Sequence, residues 1–221
     1  MKHLVIAAHP DDEILGCGGL IAKYSVRNDF WVLILTDGSE KRYDKSMKDV
    51  LKKNSLKANS IVGTKQVYFE NFPNQGLETV SLLSLTMCIE KYIDQLKPEI
   101  IFTHSAYDLN LDHRIVFDAT LTASRSMPGQ IVKKLYSYFV ASSSEWNRPK
   151  GNQFSPNIFI DISESIDKKI QAIESYESEI RPYPHPRHPK SISTYAAFWG
   201  ISVGLHYAEP FQLIQNISGE L

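Results

Sequence analysis

Along the whole chain, short apolar runs bounded by turn residues alternate with longer amphipathic segments. That alternation constrains the fold more than any other feature, because it is the pattern of βα units wound around a mostly parallel sheet. It predicts strands at residues 4–8, 31–36, 66–69, 100–103, 135–140, 157–162 and 211–214. Helices are expected between them at 14–26, 45–62, 80–96, 114–124, 164–179 and 192–205. The first and fourth strands, LVIAA and IIFT, are unbroken apolar runs, as central strands buried on both faces are. The fold class is α/β.

A chain of 221 residues can be served by one core, and neither an internal repeat nor a low-complexity linker divides it. After Ser126 helices thin out and two proline-bearing loops follow, around 146–156 and 181–189. The expectation is therefore one domain, 1–221: a Rossmann-like three-layer sandwich over about 1–126, with a smaller C-terminal cap region over about 127–221. Ligands of such sheets sit outside the carboxyl ends of the strands where strand order reverses. This directs attention to the ends of strands one and four.

Composition excludes several classes. Lys+Arg 24 against Asp+Glu 25 leaves no positive field to hold a phosphate backbone, so no nucleic acid is expected. Cys17 and Cys88 lie far apart in apolar helical surroundings, which suits buried thiols in a reducing compartment. The apolar run LVIAA is interrupted by His9, Asp11, Asp12 and Glu13 before a leader or a membrane span could form, and FWVLILT is too short to cross a bilayer. A cytoplasmic protein without stable membrane insertion is expected, and a homo-oligomer stays open.

The end of strand one reads AHPDDEILGCGG. His9 and Asp12 can ligate a metal from one short loop while the neighbouring Asp11 reaches a water on that metal. Alternatively, the acids only cap the following helix. The end of strand four reads IIFTHSAYDLNLDHRIVFDAT, with His104 at the strand tip and Asp108, Asn110, Asp112 and His113 in the loop behind it. His113 could be a third ligand and Asp112 its supporting or acid/base neighbour. The plain alternative is a helix capped by Asp112 with His113 exposed. Two histidines and a carboxylate with an open fourth position make up a catalytic zinc site.

Arg181, His185, Arg187 and His188 fall on the proline-stiffened RPYPHPRHP loop, and Arg42 follows the LTDG turn. Arg42, Arg181, His185 and Arg187 are candidates to bind substrate, against the alternative of solvated surface charge. Trp146 and Tyr195 could stack on a sugar ring or simply pack in the core. Gly16, Gly18 and Gly19, with Asp37 further on, invite comparison with a dinucleotide fingerprint. The spacing fails, because HPDDE fills the turn and the glycines fall within the first helix, where they suit close helix-to-sheet packing.

AHPDDE and DLNLDHR resemble the two signatures of the PIG-L/LmbE-like family, in its bacterial branch, and the likeness extends through LTDG, LYSYFVASSSEW and YESEIRPYPHPRHP. The family consists of zinc-dependent deacetylases that hydrolyse N-acetyl groups from glucosamine-containing sugars and related amides. The resemblance implies that His9, Asp12 and His113 bind zinc, with Fe2+ as the alternative ion, and that Asp11 is the general base. It implies a small-molecule N-acetylated sugar or glycoconjugate as substrate. One position departs: many members carry H-x-D-H, and Asn110 replaces its first histidine. Asn110 can donate a hydrogen bond to an oxyanion but cannot give up a proton at neutral pH. Asp11 or another group would then supply the acid, with Asp112 as partner. The competing functions are an amidase for another amide, such as a thiol-sugar conjugate, and a non-catalytic Rossmann-like nucleotide-binding module.

Overall fold

The computed structural model describes residues 1–36, 47–147 and 152–218. In chain order the elements are β1 (Lys2–Ala7), α1 (Asp12–Tyr24), β2 (Asp29–Thr36), α2 (Met47–Val62), β3 (Gln66–Phe72), α3 (Leu82–Leu96), β4 (Ile100–Thr103) and α4 (Leu111–Ala123). There follow β5 (Lys134–Tyr138), β6 (Ile158–Asp161), α5 (Ile166–Glu174), α6 (Pro189–Ile201) and β7 (Ala208–Asn216). Each expected strand and helix has its counterpart, β4 with the expected ends and the others with one or both ends shifted; positions 45 and 46, the expected start of the second helix, lie outside the described residues. α1 starts at Asp12 instead of residue 14, since Asp12 and Glu13 suit the positive end of a helix. α6 starts at Pro189, an imide that fits the first turn because no N–H is needed there. The helix expected over 164–179 ends at Glu174, and a single tight turn at Glu177–Glu179 follows it.

The strands form one sheet in the order β3-β2-β1-β4-β5-β7-β6. β1 to β5 run parallel, and β7 pairs antiparallel with both β5 and β6. Strand order reverses between β1 and β4, which pair from His3 with Ile100 to Val5 with Phe102. Alternate residues of β1 and the position after it feed two cores. Leu4, Ile6 and Ala8 join Leu85, Ile89 and Val116 of α3 and α4 on one face. Val5 and Ala7 join Ile14, Ala58 and Ile173 of α1, α2 and α5 on the other. The result is a three-layer α/β sandwich whose central strands are apolar throughout because helices cover both faces. A side chain at Gly16 would overlap the Tyr138 ring, so this glycine permits the close approach of α1 to the sheet. Among the described residues no helix is long and apolar enough to cross a membrane.

Candidate active site

The β1–α1 and β4–α4 connections meet where strand order reverses. His9 Nδ1, Asp12 Oδ2 and His113 Nε2 form a nearly equilateral triangle with sides of 3.1, 3.2 and 3.2 Å. The other nitrogen of each ring faces a carboxylate. His9 Nε2 lies 3.0 Å from Asp112 Oδ2, and Asp112 Oδ1 accepts the Leu77 N–H at 3.1 Å. His113 Nδ1 lies 3.1 Å from Asp108 Oδ1, an ion-pair contact off the ideal hydrogen-bond direction. With their protons beside these carboxylates, both imidazoles turn lone pairs toward one another and toward Asp12. Three converging lone pairs repel unless a cation or a proton sits among them. This donor set could hold a metal ion, and its outer carboxylates match the partners that orient ligating histidines.

The electrostatics express the same demand for positive charge. Burial alone would lower the His113 pKa, but Asp12 and Asp108 push it up to about 10. His9 is likewise raised against burial, by its contacts with Asp112 and Asp12. Burial would raise Asp12, yet His113 and His104 hold it well below the usual carboxylate range. All three shifts express one pull toward positive charge among the converging donors.

Asp11 stands beside the triangle in a backbone conformation of φ 115°, ψ −30°, at the N-cap position of α1, where its side chain makes no capping bond. Its Oδ2 lies 2.8 Å from Arg187 Nη1. Burial raises its pKa well above the usual value, with Arg187 opposing and Asp12, Glu179 and Glu13 adding to the rise. The expected acid capping of α4 takes another form: Asn110 is the N-cap, its Oδ1 accepting the Asp112 N–H at 2.9 Å, and His113 is buried. Capping engages the Asn110 carbonyl oxygen and not its NH2 group.

Several substrate candidates are placed differently from one another. Arg187 meets Asp11, and it also meets Glu179 Oε2 at 3.1 Å and donates from Nε to Ser142 Oγ at 2.9 Å. Arg181 binds the carbonyls of Ser178 and Ile180 in its own loop. His185 Nδ1 accepts the Arg187 N–H, and its ring meets the Trp146 ring edge-on at 5.9 Å. Trp146 keeps 42% of its surface exposed. Tyr195 packs against Phe139 and donates to Glu145. His188 caps α6. Arg42 and Asp37 lie outside the described residues.

Three further groups carry no role in the sequence reading. Asp108 is fully buried and accepts from Ser143 Oγ, Ser144 Oγ and the Asn110 N–H. Burial opposes its ionisation, but His113 and the two hydroxyls bring its pKa to about 2. Its signal is an Asp early in the polar loop ahead of His113. His104 stacks on His113 with 3.9 Å between ring centroids, and its Nε2 accepts the Ala8 N–H at 2.9 Å. Gln75, on a turn with φ 50°, brings its carboxamide nitrogen within 3.4 Å of His9 Nε2.

Over 186 residues the chain is 24% identical to the probable N-acetyl-alpha-D-glucosaminyl L-malate deacetylase 2 of Bacillus anthracis, covering 80% of each chain. Over 234 residues it is 24% identical to the diacetylchitobiose deacetylase of Thermococcus kodakarensis, covering 98% of this chain and 84% of that one. Its fold is also that of the 4-carboxy-2-hydroxymuconate hydratase of Pseudomonas putida, with a TM-score of 0.79, 20% identity and coverage of 100% and 99%. Residues 4–124, which include the whole triangle and Asp11, match the family model described as PIG-L: GlcNAc-PI de-N-acetylase, and the chain belongs to that family.

Proposed function

We propose that this chain is a zinc-dependent N-deacetylase that removes the acetyl group from a glucosamine-type sugar or glycoconjugate precursor. The observation that carries the proposal is the triangle of His9, Asp12 and His113, with the buried Asp11 as the residue next to Asp12 in the chain. Two nitrogens and one oxygen suit zinc, and ferrous iron is the alternative where availability favours it. Zinc, when bound, supplies a Lewis acid that makes water nucleophilic at neutral pH and polarises the acetamide carbonyl.

The protein's own groups divide the remaining work. Asp11 takes the proton of the attacking water. The C–N bond then breaks, and Asp11 returns the proton to the departing amine, giving acetate and a free amino sugar. Asn110 offers its NH2 group to the developing oxyanion. Asp112 and Asp108 hold the two imidazoles in the tautomers that point lone pairs inward. Arg187 fixes the orientation of the base, and Trp146 with His185 offers a stacking edge for a sugar ring. The deacetylase names of the Bacillus and Thermococcus relatives support an acetylated amino sugar as substrate. A reducing, cytoplasmic setting belongs to the same proposal and accords with the free thiols of Cys17 and Cys88.

The test is a screen of N-acetylated sugars, sugar nucleotides and thiol-sugar conjugates with zinc- or iron-loaded protein, detecting released acetate. Release from an acetylated amino sugar that stops on chelation is expected. No acetate from any of them with either metal overturns the proposal.

A further inference from the structure

Glu13 lies next to the metal ligands but takes no part in the chemistry above, although it is among the most completely buried charged side chains. An acid in the first turn of a helix ordinarily faces solvent and interacts with the helix dipole. Glu13 instead turns back. Its Oε2 accepts the Asp11 N–H at 3.0 Å. Its Oε1 accepts from Asn59 Nδ2 at 2.7 Å, from Tyr176 OH at 2.5 Å and from Ser55 Oγ at 3.2 Å. Every partner is a donor, and the carboxylate is thereby tied to α2 and to the segment after α5.

The bond to Asp11 matters because of that residue's backbone. A φ of 115° is costly for a residue with a Cβ and persists only where the surroundings enforce it. In a capping box, the N-cap side chain bonds a helix N–H while an acid in the first turn reaches back to the N-cap N–H. Only the second half of that exchange is made here. Glu13 satisfies the Asp11 N–H, and the Asp11 carboxylate, making no capping bond, is left to turn toward Arg187.

We propose that Glu13 is the positioning residue of the general base: its carboxylate, anchored by Asn59, Tyr176 and Ser55, holds the Asp11 backbone in the turn that points the Asp11 side chain at the reacting water. The role rests on the assignment of Asp11 as base under the proposed function. It requires reach rather than charge, since the bond to the Asp11 N–H needs an acceptor oxygen at the end of a side chain of glutamate length.

Zinc-loaded Glu13→Ala, Glu13→Gln and Glu13→Asp are compared with wild type and Asp11→Asn. The readouts are kcat, KM, zinc per chain and the exchange of the Asp11 amide proton followed by NMR. Glu13→Ala is expected to lose kcat by roughly 10- to 100-fold, the scale of a misplaced catalytic group, with KM and zinc content unmoved and Asp11 amide exchange accelerated. Glu13→Gln, which keeps an oxygen at the right length, should recover part of the rate and of the amide protection, and Glu13→Asp should not. Wild-type kcat in Glu13→Ala, or Glu13→Asp outperforming Glu13→Gln, overturns the proposal. The second comparison decides even if Glu13→Ala does not fold. A rate that falls only in proportion to lost zinc also overturns it, because Glu13 would then serve the ligands. Full activity in Asp11→Asn removes the base assignment itself; an inactive Asp11→Asn beside fully active Glu13 variants defeats the positioning role alone.

Discussion

Asp11 and Asp12 are adjacent in sequence and of one chemical type, yet their surroundings drive them apart. Asp12 faces two imidazoles and is held ionised, whereas Asp11 is buried among carboxylates and holds its proton more tightly. Such a division accords with the proposed roles, Asp12 for charge binding and Asp11 for proton transfer. Asp11→Asn should therefore keep its zinc and lose hydrolysis by ~100-fold or more, the scale of a general base; metal analysis beside a kcat measurement checks both halves. Asp108→Ala should instead weaken zinc binding by roughly 10- to 100-fold, as loss of an orienting partner does, which a competition titration with a chelator reads directly. Residues 9, 11, 12 and 113 are legible in the sequence because short motifs place them on two strand ends. Arg187 as the partner of Asp11, and Asp108 as that of His113, are not. The Arg187 contact joins segments distant in sequence, and nothing local in RPYPHPRHP distinguishes a guanidinium facing a carboxylate from one facing solvent; Asp108 lies in the same loop as His113, but spacing alone does not show that the chain turns its carboxylate onto that imidazole.

At the scale of elements, periodicity located every strand and helix core but could not report what lies beneath them. Mid-helix N–H groups of α1, at Gly19 and Leu20, donate to Glu209 at 2.7 Å each. Lys169 reaches from α5 to Leu15 O at 2.7 Å and to the same glutamate at 2.6 Å. This buried pair fastens α1, and hence the turn that carries Asp11, to β7. Lys169→Met leaves the Glu209 charge buried without its partner and should cost about 3–5 kcal/mol, measured by urea unfolding. β1 carries a second buried polar group, His3, whose ring stacks on Phe30 at 4.4 Å. Burial, aided by the terminal ammonium, lowers its pKa to about 4. The folded chain therefore holds His3 neutral where the unfolded chain would protonate it. Its contribution is complete above pH ~6.5 and is lost as pH falls toward 4, up to about 3 kcal/mol at ~1.4 kcal/mol per pKa unit. In His3→Phe, the pH dependence of unfolding between these values should flatten.

The whole molecule shows how far a fold constrains chemistry. The switch point between β1 and β4 fixes where a ligand sits, while the same fold serves a hydratase in Pseudomonas putida. Reaction type therefore resides in the side chains at the two strand ends. Because the triangle exists only in the folded chain, a bound metal stabilises the whole molecule by linkage. At a free concentration a hundredfold above Kd this is about 2.7 kcal/mol, which for a chain of this size corresponds to roughly 5–10 °C in Tm. Thermal scans with and without zinc check it, and an unchanged Tm would contradict a preformed metal site.

The position of β7 between β5 and β6 also sets an order of biosynthesis. β6 precedes β7 along the chain but pairs only with it, so residues 158–161 have no sheet neighbour until residues 208–216 have been made. On the ribosome, His9, Asp12 and His113 are all made well before Arg187 and the far side of the sheet. The contact between Arg187 and Asp11 is therefore among the last parts of the candidate site that synthesis permits.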